Sequence, residues 1–138
     1  MPLSITAANV ALVDGGNATL NKNFNAGATI TAGQLVYFDE TTSKWKLADA
    51  NASALTSVIG GIAMNGASDG QPLAVATSGT IAIGATVTVG EIYVASATAG
   101  TIDAESELAQ NSYVSLVAVG VTSARIKLCI FNSGVTIP

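Results

Sequence analysis

GATVTVGEIYVAS, residues 84–96, has an earlier copy in GATITAGQLVYFD, residues 27–39. Five of the first seven positions are identical, and the spacing is constant, since 84 minus 27 and 90 minus 33 both give 57. In each copy threonine and β-branched residues alternate between two glycines, and an apolar run follows. Alternation with period two indicates strands, and glycine indicates turns or bulges between them. The repeat therefore predicts two similar halves of one small β-domain, because a solenoid needs at least three repeats.

Further short segments with strand character follow each copy. PLAVATSGTIAI, residues 72–83, predicts a hairpin that turns at Gly79. RIKLCIF, residues 125–131, predicts a terminal strand whose outward Arg125 and Lys127 discourage edge pairing. The chain thus holds about ten short strands with frequent turns, which predicts an all-β fold, a small β-barrel or sandwich.

The N-terminal residues differ from the rest of the chain, because they contain apolar side chains without sustained periodicity. We therefore divide the chain into an extended N-terminal arm, residues 1–24, and a β-barrel domain, residues 25–138. Apolar side chains in a segment without its own core need another surface to cover them. We expect that surface to belong to a neighbouring subunit or another partner, although the arm packing across its own domain as one more strand remains an alternative. The candidate partner contacts in the arm are Ile5, Val10, Leu12 and Phe24.

The run QLVYF, residues 34–38, is apolar on both faces of the predicted strand. Such a strand is buried on both sides, by an outer layer of its own domain or by another subunit. Val36 and Phe38 are therefore further candidate interface residues. Charged residues make up only 10% of the chain, against about 25% in an average domain. Sparse charge predicts a homo-oligomer, while a monomer with a Thr/Ser-rich surface is the alternative.

Residue types limit the possible chemistry. The chain has no histidine and a single cysteine, which excludes histidine-based catalysis and a zinc site of Cys and His ligands. The glycine-rich segments lack the Lys-Ser/Thr of a phosphate loop. Asp103, Glu105 and Glu107 predict a solvated acidic loop in preference to a weak calcium site. We therefore expect no enzymatic activity, no metal and no cofactor.

The charges also limit the possible partners. Five dispersed basic residues and a net charge of −4 argue against a nucleic-acid partner. Residues 71–90 carry no charge, but they alternate as strands do, which argues against a membrane segment. No secretory signal is recognisable, so synthesis in the cytoplasm is expected. Cys129 is expected to be a small buried apolar residue.

Three segments carry a resemblance to a known family: GQLVY at residues 33–37, IGGIA at 59–63 and VATSGTI at 75–81. Together with their surroundings, about residues 27–131, they resemble the small head decoration (cement) proteins of tailed bacteriophages. The resemblance implies a small β-barrel that binds the outer surface of an icosahedral head and locks neighbouring copies of the major capsid protein together. It also implies a location in the virion, on the outer capsid surface, after synthesis in the host cytoplasm.

A receptor- or carbohydrate-binding β-domain of a tail fibre or surface layer is the alternative. In that case Tyr37, Trp45 and Tyr93 are the aromatic rings available to stack on a sugar.

Overall fold

The computed structural model describes residues 2–138, and they form an almost entirely β structure. The strands are β1 Val10–Leu12, β2 Thr19–Asn21, β3 Asn25–Ala26, β4 Leu35–Asp39, β5 Lys44–Leu47, β6 Gly61–Ala63, β7 Val75–Ile83, β8 Ile92–Ala95, β9 Ile102–Ala104, β10 Tyr113–Gly120 and β11 Arg125–Thr136. Single turns of 3-10 helix lie at Ala7–Asn9, Leu55–Ser57 and Glu105–Glu107. The predicted all-β class is confirmed.

The strands form one path in the order β3-β5-β4-β6-β7-β11-β10-β8-β9. Every neighbouring pair is antiparallel except β3 and β5. The long strand β7 divides the path, because its first half pairs with β2 and β6 and its second half with β1 and β11. We call β2 to β6 with the start of β7 sheet I, and β1, the end of β7 and β8 to β11 sheet II. Within residues 2–138 the two ends of the path do not pair, so the arrangement is sandwich-like and not a closed barrel.

The internal repeat is visible in the strand pairing of the two hairpins. In β4–β5, Val36 lies opposite Leu47, and in β8–β9, Tyr93 lies opposite Ala104. The two pairs are separated by 57 sequence positions in both strands, from 36 to 93 and from 47 to 104. The hairpins therefore have the same register, as the sequence repeat predicts.

The same shift extends to the strand on the other side of each hairpin. Leu35 of β4 pairs with Ile62 of β6, and Ile92 of β8 pairs with Val119 of β10. The order β5-β4-β6-β7 is followed by its mirror order β11-β10-β8-β9. The two predicted halves are thus two four-stranded units, which meet where β7 pairs with β11.

Each unit enters its first strand through an equivalent tight turn. The Gln34 N–H donates to the Thr31 carbonyl at 3.3 Å, and the Glu91 N–H donates to the Thr88 carbonyl at 3.2 Å. Gly33 and Gly90 occupy the third position of these turns, with φ of 94° and 83°. A positive φ at this position is the requirement of a type II turn, which explains the repeated glycine.

Two segments predicted as strands have other conformations. Residues 27–33 and 84–90 form no strand, and the first contains only an isolated bridge between Ile30 and Ala67. Their alternation builds no strand, because each segment makes only scattered backbone hydrogen bonds to its neighbours before the turn just described. Residues 75–83 form a single strand and no hairpin, because Gly79 does not reverse the chain. Because Gly79 has no side chain, the backbone of Ala18 can approach it closely.

Two apolar clusters fill the fold. The larger one contains side chains of both sheets, and the smaller one contains Val36 and Trp45 of sheet I together with residues of the flanking loops. Leu35 points into the larger cluster, whereas Ile92, its equivalent in the second copy of the repeat, is exposed. Val36 lies in the smaller cluster, whereas its equivalent Tyr93 lies in the larger one. The two halves therefore turn opposite faces of the repeated strand toward the shared core.

The N-terminal residues lie against their own domain. The Leu3 N–H donates to the Ile102 carbonyl and the Thr6 N–H to the Gly84 carbonyl, both at 2.8 Å. β1 and β2 then pair in succession with the second and first halves of β7. The structure thus has the arrangement that the sequence left as the alternative, in which the arm adds strands to its own domain.

Candidate interaction surface

The four candidate contacts in the arm occupy different environments. Ile5 is half-buried against the larger cluster, and Val10 is buried. Leu12 is 54% exposed, and Phe24 is 36% exposed with its ring centroid 4.5 Å from that of Phe38. Only Leu12 and Phe24 therefore present a large apolar area to a partner in this structure.

Val36 and Phe38 are covered by the chain itself. Val36 is completely buried in the smaller cluster, and Phe38 packs on that cluster in a T-shaped contact with Trp45, at a centroid distance of 5.3 Å. The expectation that Val36 contacts a partner is corrected, because the loops beside sheet I supply the second covering layer. Apolar residues on both faces of this strand reflect a second core within the domain.

Strand β11 is not the edge strand that the sequence predicts. It lies between β10 and β7 in sheet II. Ile126 and Leu128 point into the larger cluster, as predicted, while Arg125 and Lys127 point to the opposite, solvent-exposed side. Protection of an edge therefore does not explain these two cations.

The outer side of sheet II is covered where β8 pairs with β9, since Val94 and Asp103 are buried there, but it is open across β11 and the neighbouring parts of β10 and β8. We call the open face the set of side chains that β8, β10, β11 and the residue after β10 present there: Ile92, Leu116, Val119, Val121, Arg125, Lys127, Cys129 and Phe131. Lys127, Val119 and Ile92 form one row across the strands, and Phe131 and Leu116 form another. Ile92, Val121 and Phe131 are 36%, 40% and 61% exposed. The open face is thus largely apolar, with two cations at one side.

The cations of sheet I have carboxylate partners. Lys46 Nζ lies 2.7 Å from Asp39 Oδ2, and Lys44 Nζ lies 3.1 Å from Asp69 Oδ1. The hydrogen bond from Lys46 lowers the pKa of Asp39 against the opposing effect of burial, and the same bond raises the pKa of Lys46. These charges hold the β4–β5 hairpin and its neighbouring loop together.

The acidic loop offers no metal site in this structure. Asp103 is buried on β9, whereas Glu105 and Glu107 lie in the exposed 3-10 turn that follows. Between residues 2 and 138, three or more Cys, Asp or Glu side chains do not come together anywhere as possible metal ligands. Two surface hollows, of about 170 and 380 Å³, flank residues 3–9, and neither is lined by a charged side chain or a cysteine.

The residues weighed for other roles are placed as follows. Tyr37, Trp45 and Tyr93 are all buried, so none of these rings is available to stack on a sugar in this structure. Cys129 is exposed on the open face, which corrects the expectation that it is buried. The open face was not predicted from the sequence. A signal for it exists, because EIYVA and YVSLVAVGV have apolar side chains on both faces of their strands and not on one face alone.

Scanned against protein-family models, the chain matches none, and it matches no curated protein. In the part of the chain that the structure describes, no helix is long and apolar enough to cross a membrane.

Proposed function

We propose that this chain is a decoration protein of a tailed-phage head, a structural virion protein that binds the outer surface of the shell and stabilises neighbouring copies of the major capsid protein. The observation that carries the proposal is the asymmetry of the two sheets. Sheet I is covered on both faces by its own chain, whereas sheet II leaves the largely apolar open face uncovered. Uncovered apolar area on an otherwise well-packed domain is typical of a protein that works by binding another surface.

The segments that carry the family resemblance support the same proposal. Residues 33–37 form the turn and the start of β4, residues 59–63 lead into and form β6, and residues 75–81 lie in β7. They build the framework of the domain and supply no catalytic group. On the shell we expect a homo-oligomer, with a trimer favoured over a dimer, because the decoration proteins that this chain resembles often sit on capsid symmetry axes, and a symmetry axis asks for a matching oligomer.

Binding to heads tests the proposal. Heads of the phage that encodes the chain, purified without this protein, are mixed with it and sedimented. We expect binding that saturates at hundreds of copies per head, and bound heads that resist heat and low ionic strength better than bare heads. No binding, or saturation at a few copies at a single vertex, contradicts the proposal.

A further inference from the structure

Arg125 and Lys127 are exposed cations that the fold itself does not use. Their cross-strand neighbours on β7 are Ala82 and Thr80, and Lys127 lies opposite Val119 on β10. Between residues 2 and 138 neither cation has an ion-pair partner, in contrast to Lys44 and Lys46. Both charges are therefore free to pair with carboxylates of another protein.

The apolar part of the open face lies directly beside these charges. Val121 contacts Arg125 through its N–H, which donates to the Arg125 carbonyl at 3.0 Å, and Val119 and Ile92 continue the row that starts at Lys127. An apolar centre flanked by charged residues is the composition of a protein–protein interface. A nucleic acid is disfavoured, because the apolar area is large and only two cations adjoin it.

The overall charge selects the kind of partner. The chain has five basic and nine acidic residues, so without Arg125 and Lys127 three basic residues remain against nine acids. An acidic partner is therefore repelled by most of this chain and attracted at the open face, which favours one docking orientation. A second copy related by a two-fold axis parallel to β11 would place the cations of one copy opposite those of the other, which is unfavourable.

On the basis of the proposed function, we infer that the open face is the side that docks on the shell, and that its counterpart there is an acidic protein surface with an exposed apolar centre. The carboxylates of that surface pair with Arg125 and Lys127. Ile92, Val121 and Phe131 cover its apolar centre.

Charge reversal with a matched control tests the inference. Arg125→Glu and Lys127→Glu each change the net charge by −2, and Lys22→Glu makes the same change at an exposed site away from the open face. Binding of each variant to heads purified without this protein is measured at low and moderate salt. We expect each open-face reversal to weaken binding by at least about tenfold, and Lys22→Glu by less than about twofold. Unchanged melting temperatures show that the variants are folded.

The outcomes separate the inference from the function on which it rests. If the wild-type protein does not bind heads, both are overturned. If it binds and the open-face reversals bind as well as Lys22→Glu, the decoration role stands and the assigned face is wrong. If the reversals change the oligomeric state in light scattering but leave head binding intact, the open face joins copies of this chain, and the inferred shell partner is also wrong.

Discussion

Replacing Gly33 with alanine tests whether the N-terminal segment packs on its own domain. Gly33 and Gly90 occupy equivalent turns with φ of 94° and 83°, so alanine costs about 1–2 kcal/mol at either site from the backbone conformation alone. A Cβ at Gly33 would also lie 2.6 Å from Ile5 Cγ2 and 3.1 Å from Val10 Cγ2, whereas a Cβ at Gly90 would meet nothing within 4 Å. Overpacking of this kind adds about 1–3 kcal/mol. We therefore expect the free energy of unfolding to fall by about 2–5 kcal/mol in Gly33→Ala and by about 1–2 kcal/mol in Gly90→Ala.

Urea unfolding, followed by circular dichroism, measures the two losses in free energy of unfolding. The matched variant Ile5→Ala removes the clashing methyl groups, so it should relieve the extra cost at Gly33. The double variant Ile5→Ala, Gly33→Ala is thus expected to be more stable than additivity predicts, by about 1–3 kcal/mol. Equal losses at Gly33 and Gly90, together with additive behaviour of Ile5→Ala, would refute the packing of the segment on its own domain.

Three further predictions concern the two cores and the hairpin charges. The pKa of Asp39 is lowered below its ordinary 3.8 and that of Lys46 is raised above 10.5, so the pair stabilises the fold between these two pH values. In thermal melts from about pH 2 to pH 12, the stability advantage of wild type over Lys46→Gln should shrink as the pH falls through the folded pKa of Asp39 or rises through that of Lys46. A stability advantage that does not depend on pH would contradict this. The side-chain amide of Asn132 accepts a hydrogen bond from the Ile59 N–H at 2.8 Å and donates one to the Ile59 carbonyl at 3.2 Å. Urea unfolding of Asn132→Ala should therefore show a free energy of unfolding lower by about 1–3 kcal/mol, whereas the control Asn23→Ala, at an exposed site, should lose less than about 0.5 kcal/mol. Trp45→Ala should lower the free energy of unfolding by about 3–5 kcal/mol. Trp45→Phe should lower it clearly less, because the buried Trp45 Nε1–H has no hydrogen-bond partner to lose. Equal losses for the two variants, measured by circular dichroism, would argue against this packing.

The sequence repeat predicted the local pairing well. The shared 57-residue spacing corresponds to the same register in both hairpins, because the turn at Gly33 or Gly90 sets where each strand begins. Alternation in residues 125–131 also predicted correctly that Ile126 and Leu128 point inward. These features depend on neighbouring residues, which a single sequence contains.

Features that depend on distant partners were not predictable in this way. QLVYF and IYVA offer apolar side chains of both parities, so the pattern does not decide which face of the strand meets the shared core. The strand β2 has only three residues and is held by β7, more than fifty positions away. The open face was hidden for a similar reason, since it emerges only when β11 lies between β10 and β7 and not at an edge.

Cryo-electron microscopy of heads decorated with this chain tests the orientation of the domain most directly. We predict density for the domain on the outer surface of the shell, with Ile92, Val121 and Phe131 facing the capsid protein. Arg125 and Lys127 should then lie within about 4 Å of carboxylates of the shell. Density in which the open face of sheet II points to solvent while sheet I contacts the shell would contradict the inferred docking face, and heads without density for the domain would contradict the proposed function.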